Sequence, residues 1–463
     1  MNRAISGYIG NREFYKRVLA VAVPIMIQNA ITNFVSMLDN IMVGRVGTEQ
    51  MSGVAIVNQL LFVCYLCMFG AISGAGIFTA QYFGKDDNEG VRYTFRFKLI
   101  ICAVIVAVTI GIMLAAGNNL IGMYLRGNDD GGDVVAALRY GQEYLLIMLI
   151  GLVPMMLSQV YSGTLRECGK TFVPMIAGIT AVFVNLGFNY VLIYGKFGAP
   201  ELGVAGAAIA TVISRYVEAI VVIAWTHYKK DEHSYIIGMY RSMRIPKELT
   251  VNIIRKGMPL LVNETLWAAG MAVLVQCYSI RGMYVVAGLN ICNTIVNIFN
   301  VVFFAMGDAV AILVGQLLGA GRMDEARDTA RKLIVFGVLC ATVLAVIVYL
   351  TSGIFPLLYK PDAYTKDLAI GFTSIAACFM PQAAFLHTAY FTIRSGGKTF
   401  ITFLFDSVFL WVAAIPVAFI LSHFTGLEVF KIYIAVQFAD SVKCIVAFIL
   451  LKKEIWLNNI VEN

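Results

Sequence analysis

The sequence predicts an all-α integral membrane protein of twelve transmembrane helices in two pseudo-symmetric six-helix lobes. Three observations carry that prediction. The first is composition: of 463 residues, 59% are hydrophobic and 14% charged, with a mean hydropathy of +0.79. A soluble domain holds about 45 to 50% apolar and about 25% charged residues, so no large soluble domain is expected. The second is a series of charge-poor runs, most of them near the roughly 20 residues that cross a bilayer. The third is an internal duplication.

The runs fall at residues 18–43, 51–83, 99–116, 134–157, 172–194 and 203–225, and then at 251–277, 285–318, 333–350, 368–393, 400–421 and 429–451. The first follows the polar segment MNRAISGYIGNREFYKR and is not followed by a small-residue cleavage site, so it is expected to be a retained span and not a signal peptide. Pro24, Pro154, Pro259, Pro381 and Pro416 lie inside runs, where neighbouring helices can satisfy the freed backbone groups.

The net charge of +7 points to basic loops at a membrane, and no nucleic-acid partner is expected. With the N-terminus placed in the cytoplasm, 25 of the 35 Lys and Arg fall on the inner side and 8 on the outer, leaving Arg215 and Lys443 within spans. Positive charge accumulates on the cytoplasmic side. Both termini are therefore expected to be cytoplasmic, in a multi-pass protein of the plasma membrane.

At an offset of 235, Pro24 aligns with Pro259, Gly47 with Gly282, Gly53 with Gly288, Asn58 with Asn293, Gln81 with Gln316 and Gly84 with Gly319. At 228, TLRECGKTF (164–172) aligns with TIRSGGKTF (392–400). Six spans per copy make the repeat parallel, a pattern that frames a cavity near the midplane. The expected organisation is an N-lobe at 1–227, a cytoplasmic linker at 228–250 and a C-lobe at 251–463. The GKT triplets are not phosphate-binding loops, because Thr164 and Thr392 stand where that motif needs glycine. Without a nucleotide site, uphill transport would have to draw on an ion gradient. The nine cysteines are scattered through apolar runs and read as buried thiols, not as metal ligands or disulfides.

A carboxylate at the centre of a span costs about 2.5 to 3.5 kcal/mol on insertion scales, so Asp39, Glu264, Asp308, Asp406 and Asp440 each require a reason. In the first span Asn29, Thr32, Asn33, Ser36, Asp39 and Asn40 recur at three and four, marking one helical face. That face lines a cavity, or bonds across helices at a packed interface. Asn185 and Asn189 share a face of the fifth span, and their carbonyls suit Na⁺ or a protonated carboxyl. Asn290, Asn293, Asn297, Asn300, Phe304 and Asp308 form a stripe in the eighth span, while Glu264, Trp267 and Met271 share a face of the seventh.

Asp406 is read as a cavity carboxylate or as a partner of Arg394 or Lys398, and Asp440 as neutralised by Lys443 three residues on. His387 is read as a titrating group of a proton pathway or as a hydrogen-bonded packing residue. Burial raises a carboxylate's pKa and an adjacent cation lowers it, so Asp39 or Glu264 is expected to exchange H⁺ or Na⁺ for a cationic substrate. Thirty Phe, 22 Tyr and 20 Met permit an adaptable apolar interior.

The stretch PIMIQNAITNFVSMLDNIMVGRVGTEQMSGVAIVNQ, the segments AQYFGKDD and GQLLGAGRMDEAR, and the two GKTF loops together resemble the multidrug and toxic compound extrusion family, within the multidrug/oligosaccharidyl-lipid/polysaccharide flippase superfamily. The likeness covers nearly the whole chain. It implies two six-helix lobes around a central cleft, and export of organic cations and other drugs against H⁺ or Na⁺. It also implies that Asp39 is the essential first-span carboxylate, with Asn185 beside it. The chain departs from members with a well-defined N-lobe site in having Asn189 where they carry an acid, from many members in placing Glu264 about one turn nearer its proline, and from some in having no acid between residues 370 and 394, where His387 and Tyr390 are the titratable groups.

The expectation is a secondary active exporter of cationic or amphipathic small molecules; the alternative is a lipid-linked oligosaccharide or other lipid flippase. A membrane enzyme would need a cluster of acids or histidines at a membrane surface, and the sequence offers none, so no catalytic residue is assigned. Coupling is placed at Asp39, Asn185, Asn189 and Glu264. The substrate cavity is placed at Asn33, Ser36, Asn40, Trp267, Met271, Asn293, Asn297, Asp308, His387 and Asp406. No cofactor is expected beyond H⁺ or Na⁺, a Na⁺ at Asp39, Asn185 and Asn189 is the one metal site expected, and the protein is expected to be a monomer in the lipid bilayer.

Overall fold

Regular helix is the one backbone arrangement in which a single segment satisfies its own polar groups in hydrocarbon, and it accounts for nearly all of this chain. The computed structural model describes residues 8–44, 46–125, 133–359 and 362–462, and their side chains except those of 35–37, 39–41, 44, 48, 283 and 358–359. The helices are α1 (Arg12–Gly44), α2 (Thr48–Gly84), α3 (Asn88–Leu125), α4 (Val134–Ile150), α5 (Leu152–Glu167), α6 (Phe172–Ile193) and α7 (Gly203–Tyr228). They continue as α8 (Lys247–Ser279), α9 (Met283–Gly319), α10 (Met323–Thr351), α11 (Ala363–Ser395), α12 (Thr399–Phe424) and α13 (Val429–Lys452). Eleven of these are long and apolar enough to cross a membrane, twelve when α4 and α5, bent by 46° at Gly151, are taken together as one broken span.

Several helices overrun their apolar runs because their polar ends find partners. The run that opens at residue 99 becomes a helix from Asn88: fully buried Lys98 pairs with Glu167 and donates to Thr164 Oγ1 at 3.2 Å. Arg96 binds the carbonyls of Met239 (3.0 Å), Arg244 (3.2 Å) and Gly238 (3.3 Å). The helix caps repeat as the sequence does. Asp133 accepts from Val135 N and Ala136 N, and Asp362 accepts from Thr365 N, satisfying the orphan donors of α4 and α11. The bonds from Thr365 hold the Asp362 carboxyl below the usual carboxylate range. The duplicated GKTF loops are helix stops: Gly169 (φ 76°) and Gly397 (φ 73°) take the left-handed conformation after α5 and α11, returning their N–H groups to Arg166 O and Arg394 O at 2.8 Å.

The chain divides into two compact units. One comprises Ile27–Thr79 and Asn88–Asn252. Within it the segment between α7 and α8 is fastened to the start of α3 by the Arg96 bonds and by Arg92 Nε to Tyr235 O (3.1 Å), with His233, Tyr235, Ile236 and Met239 buried. Burial holds the His233 imidazole below its ordinary pKa.

The other unit comprises Met1–Met26, Ala80–Asp87 and Ile253–Asn463. Here the ends of α2 and α9, related by the 235-residue repeat, meet reciprocally. A Cβ on Gly84 would lie 1.9 Å from Gln316 O, and one on Gly319 would lie 1.9 Å from Gln81 O, so only glycine permits the approach. The C-terminal segment closes over this contact. Gln81 Nε2 donates to Ser395 O (2.9 Å) and Asn458 O (3.2 Å), and its Oε1 accepts from Ile460 N (2.8 Å). Lys85 reaches Val461 O (2.9 Å), Arg327 grips Glu454 with two bonds of 2.6 and 2.8 Å, and Trp456 is buried.

Two outcomes follow from this packing. Deletion of residues 454–463, or Gly84→Leu, is expected to lower the melting temperature in detergent by about 5 °C or more; an unchanged melting curve would mean that the contact adds no stability. Because burial favours neutral His233 in the folded segment, the unfolded chain binds a proton near pH 6.5 that the folded one does not. Docking of residues 229–246 should therefore weaken as pH falls through about 6.5, read as faster limited proteolysis there, and His233→Gln should flatten that dependence.

Candidate functional site

Polar side chains within spans are expected to face a water-filled cavity or to bond one another, and the structure sorts the sequence-predicted residues into these two groups. In the unit holding 253–463, Asn293 and Asn297 are exposed along α9, as are Trp267 (45%) and Met271 (39%) along α8. Exposed asparagines at helical spacing on a membrane helix suit a wetted surface, not a lipid-facing one. In the other unit Asn33 is likewise exposed on α1. Ser36, Asp39 and Asn40 are on α1, but their side chains lie outside the described residues.

Asn185 and Asn189 are buried and joined to each other. Asn189 Nδ2 donates to Asn185 Oδ1 (3.0 Å), and Asn185 Nδ2 donates to Thr211 Oγ1 (3.3 Å), linking α6 to α7. The same unit holds an acid that the sequence reading passed over, Glu218 on α7, grouped with Ser158, Arg166 and Arg215. Its signal was available in the sequence, since Glu218 follows Arg215 by three residues within a span. Arg166 donates to Gln28 Oε1 (2.6 Å), and Arg215 to the Tyr65 hydroxyl (2.7 Å).

A dense polar cluster lies among α8, α11, α12 and α13. Residues 404–408 and 410–414 of α12 form two π-helical turns, a feature that recurs at functional sites. Asp406 sits on the first. Its Oδ1 accepts from Lys443 Nζ at 2.6 Å, and its Oδ2 from Asn263 Nδ2 at 3.1 Å. Asn263 is itself fixed: its Oδ1 accepts from Ser407 N (3.2 Å) and Ser407 Oγ (2.7 Å), and its Nδ2 lies 3.4 Å from the Tyr390 hydroxyl. Glu264, half-buried at the next position of α8, feels the charges of Arg394 and Asp406.

The salt bridges therefore differ from those read in the sequence. Lys443 crosses from α13 to Asp406 instead of staying with Asp440 on its own helix, and Asp406 takes neither Arg394 nor Lys398. The long lysine stem can reach a carboxylate on the facing helix, and the bond from Asn263 presents that carboxylate to it. Asp440 remains close enough to feel both Lys443 and Asp406.

His387 is a packing residue between Phe304 (centroids 5.2 Å apart) and Phe391 (4.9 Å), against Gly307, where a Cβ would lie 2.7 Å from its Nε2. That nitrogen is buried without a hydrogen-bond partner among the described residues. Asp308, the next residue of α9, is half-buried. A cavity of about 270 Å³ lined by Arg17, Asp86, Gln316 and Arg322 lies at helix ends, and none of the predicted site residues lines it. Among the described residues no group of three His, Cys, Asp or Glu is arranged to hold a metal ion.

Comparison with known proteins gives one consistent result. The MatE family pattern matches residues 24–191 and 259–420, two stretches that start 235 residues apart, like the internal repeat. The chain is 25% identical over 411 residues to the probable multidrug resistance protein NorM of Thermotoga maritima, covering 88% of this chain and 86% of the relative. It is 26% identical over 410 residues to the multidrug resistance protein MdtK of Pectobacterium atrosepticum, covering 88% and 87%. The fold superposes on that of a MATE protein crystallised in its straight conformation with a TM-score of 0.85 at 20% identity over 98% of both chains. It also superposes, with a TM-score of 0.84 at 19% identity over 98% of both chains, on a MOP superfamily transporter from Pyrococcus furiosus described as having a binding pocket of reversed polarity.

The Asn263 hub gives a stability prediction. Asn263→Ala would leave Asp406 Oδ2 and the Ser407 donors without their partner, and an unsatisfied buried group costs about 1 to 3 kcal/mol. A lower melting temperature in detergent is expected, with Asn263→Asp, which keeps an acceptor for Ser407 but sets a second acid against Asp406, no better. A variant that melts like the parent would show that water replaces these bonds at no cost.

Proposed function

The chain belongs to the MatE family and is a multidrug efflux transporter, and from that premise we propose that it exports organic cations and other amphipathic small molecules by antiport against H⁺ or Na⁺, through alternating access. The observation that supports the reading is the grouping of Glu264, Asp406 and Asp440 with Arg394 and Lys443 inside membrane-spanning helices. Carboxylates outnumber Lys and Arg in this cluster, and an anionic surface within a span attracts cationic substrates and coupling ions. Exposed Trp267 and Met271 on the same face of α8 as Glu264 add aromatic and polarisable surface, which suits amphipathic cations of varied shape.

Asp39, on α1, is the proposed coupling carboxylate, with Asn185 and Asn189 as neutral oxygen donors for Na⁺ or for a protonated acid. Glu264 is the proposed counter-charge of the substrate. The protein acts as a monomer of the plasma membrane with its basic ends in the cytoplasm, and the coupling ion is its only co-substrate.

The reading is tested by efflux of ethidium from proteoliposomes under a pH gradient and a Na⁺ gradient imposed separately. Efflux should follow one gradient. Asp39→Asn should abolish it, and Glu264→Gln should slow it by about tenfold or raise the KM, a change of about 1.4 kcal/mol in transition-state or ground-state binding. No wild-type movement under either gradient would reject cation antiport and point to lipid translocation, to be measured with labelled lipid in the same vesicles.

A further inference from the structure

A carboxylate inside a membrane needs a counter-charge at every step of a transport cycle, including the steps when no substrate is bound. At Asp406 that counter-charge belongs to the protein itself. Lys443 Nζ sits 2.6 Å from Oδ1, and the side chains are 12% and 22% exposed, so the pair is largely desolvated yet open to a ligand. The other oxygen and the carboxylate's orientation are fixed by neutral groups, Asn263 and behind it Ser407. Lys443 is thus the one partner of Asp406 that a cation can replace without dismantling the site.

We propose that Lys443 is a proton-exchanging group of this transporter: in the empty site its ammonium neutralises Asp406, and a cationic substrate that takes Asp406 discharges one proton from Lys443. The proposal rests on the cation-export reading above. The step balances. One N–H bond of the ammonium breaks, the electron pair stays on the neutral amine, and the proton passes to water. The substrate's positive charge replaces the lysine's, so the charge of the site does not change. In reverse, protonation of the amine restores the ion pair and expels the substrate, giving one proton taken up for each cation released.

The chemistry of the neighbours singles out this lysine. Arg394 cannot lose its proton in a protein. A lysine on a flexible four-carbon stem can, once its counter-charge is taken in a site of low dielectric. Phe405 lies beneath the ammonium at 5.2 Å, giving a cation at Asp406 an aromatic face to rest on. The groups facing Lys443 are Asp406 from α12, His387 from α11, and Asp440 and Cys444 on its own helix. Glu264 from α8 stands one step further, feeling the charges of both Arg394 from α11 and Asp406.

The test uses the purified full chain in detergent with tetraphenylphosphonium as the cation, measuring binding and proton release in weakly buffered solution. The wild type should release at least one proton per cation bound, and by linkage its affinity should rise at least about tenfold per pH unit between about pH 6 and 8. Lys443→Arg keeps the ion pair but holds its proton, so it should bind more weakly and release one proton fewer per cation than the wild type, with a correspondingly shallower dependence of affinity on pH. The double variant Asp406→Asn with Lys443→Met, which removes both members of the ion pair together, should retain the fold and also release one proton fewer than the wild type. Proton release from Lys443→Arg equal to that of the wild type would overturn the role of Lys443 and leave cation export standing. No binding of tetraphenylphosphonium by the folded wild type would overturn the export reading and the lysine's role with it.

Discussion

Every polar group that this chain carries into hydrocarbon has to be satisfied by the chain itself or by water admitted to a cavity, and the structure is organised by that requirement. The bond from Lys443 to Asp406 is its clearest expression. A carboxylate and an ammonium that would each be costly alone form a pair, and the pair is set by Asn263, whose own amide is saturated by Ser407 and Tyr390. The π-helical turn at 404–408 belongs to the same solution, because Ser407 on it shares its single hydroxyl proton between Oδ1 and the backbone carbonyl of Asn263 on α8, each 2.7 Å away.

The same requirement explains why helices run past their apolar stretches. Lys98, Arg96 and Glu167 are charged residues of the kind that normally mark a loop, yet all three belong to α3 or α5. Glu167 neutralises Lys98, and the turns at 234–241 offer carbonyls to Arg96 and Arg92. The segment read in the sequence as a cytoplasmic linker is thereby a packed element of its unit. In the other unit the C-terminal residues play a matching part, giving Gln81 and Lys85 the acceptors that the glycine-tight contact of Gly84 and Gly319 leaves them seeking.

The legibility of the site in the sequence follows from the range of each interaction. Periodicity puts Glu264, Trp267 and Met271 on one face of α8 and Asn293 and Asn297 on one face of α9, because which face of a helix a residue occupies is a local property. Partners across helices are not local. The i,i+3 spacing of Asp440 and Lys443 suggested a pair within α13, and the fold instead aimed Lys443 at a residue 37 positions away. His387 drew notice as a titratable group, and only its packing between Phe304 and Phe391 defines its surroundings. Asn263 counted for little in the sequence beside the charged Glu264, although it is the hub of the network.

The sequence by itself determined that the chain lives in a bilayer, that it carries eleven to twelve apolar spans, that its two halves are related by a repeat, and that it belongs to a family of transporters. Composition, run length, repeated spacing and motif are properties of residues in order, and hydrocarbon leaves the backbone no alternative to helix. Tertiary structure decided which buried charges neutralise which, where helices bend or widen, and how the repeated glycines are used. Those outcomes depend on distances between segments far apart in the chain, and in a medium of low dielectric a difference of a few ångströms separates an ion pair from an unsatisfied charge.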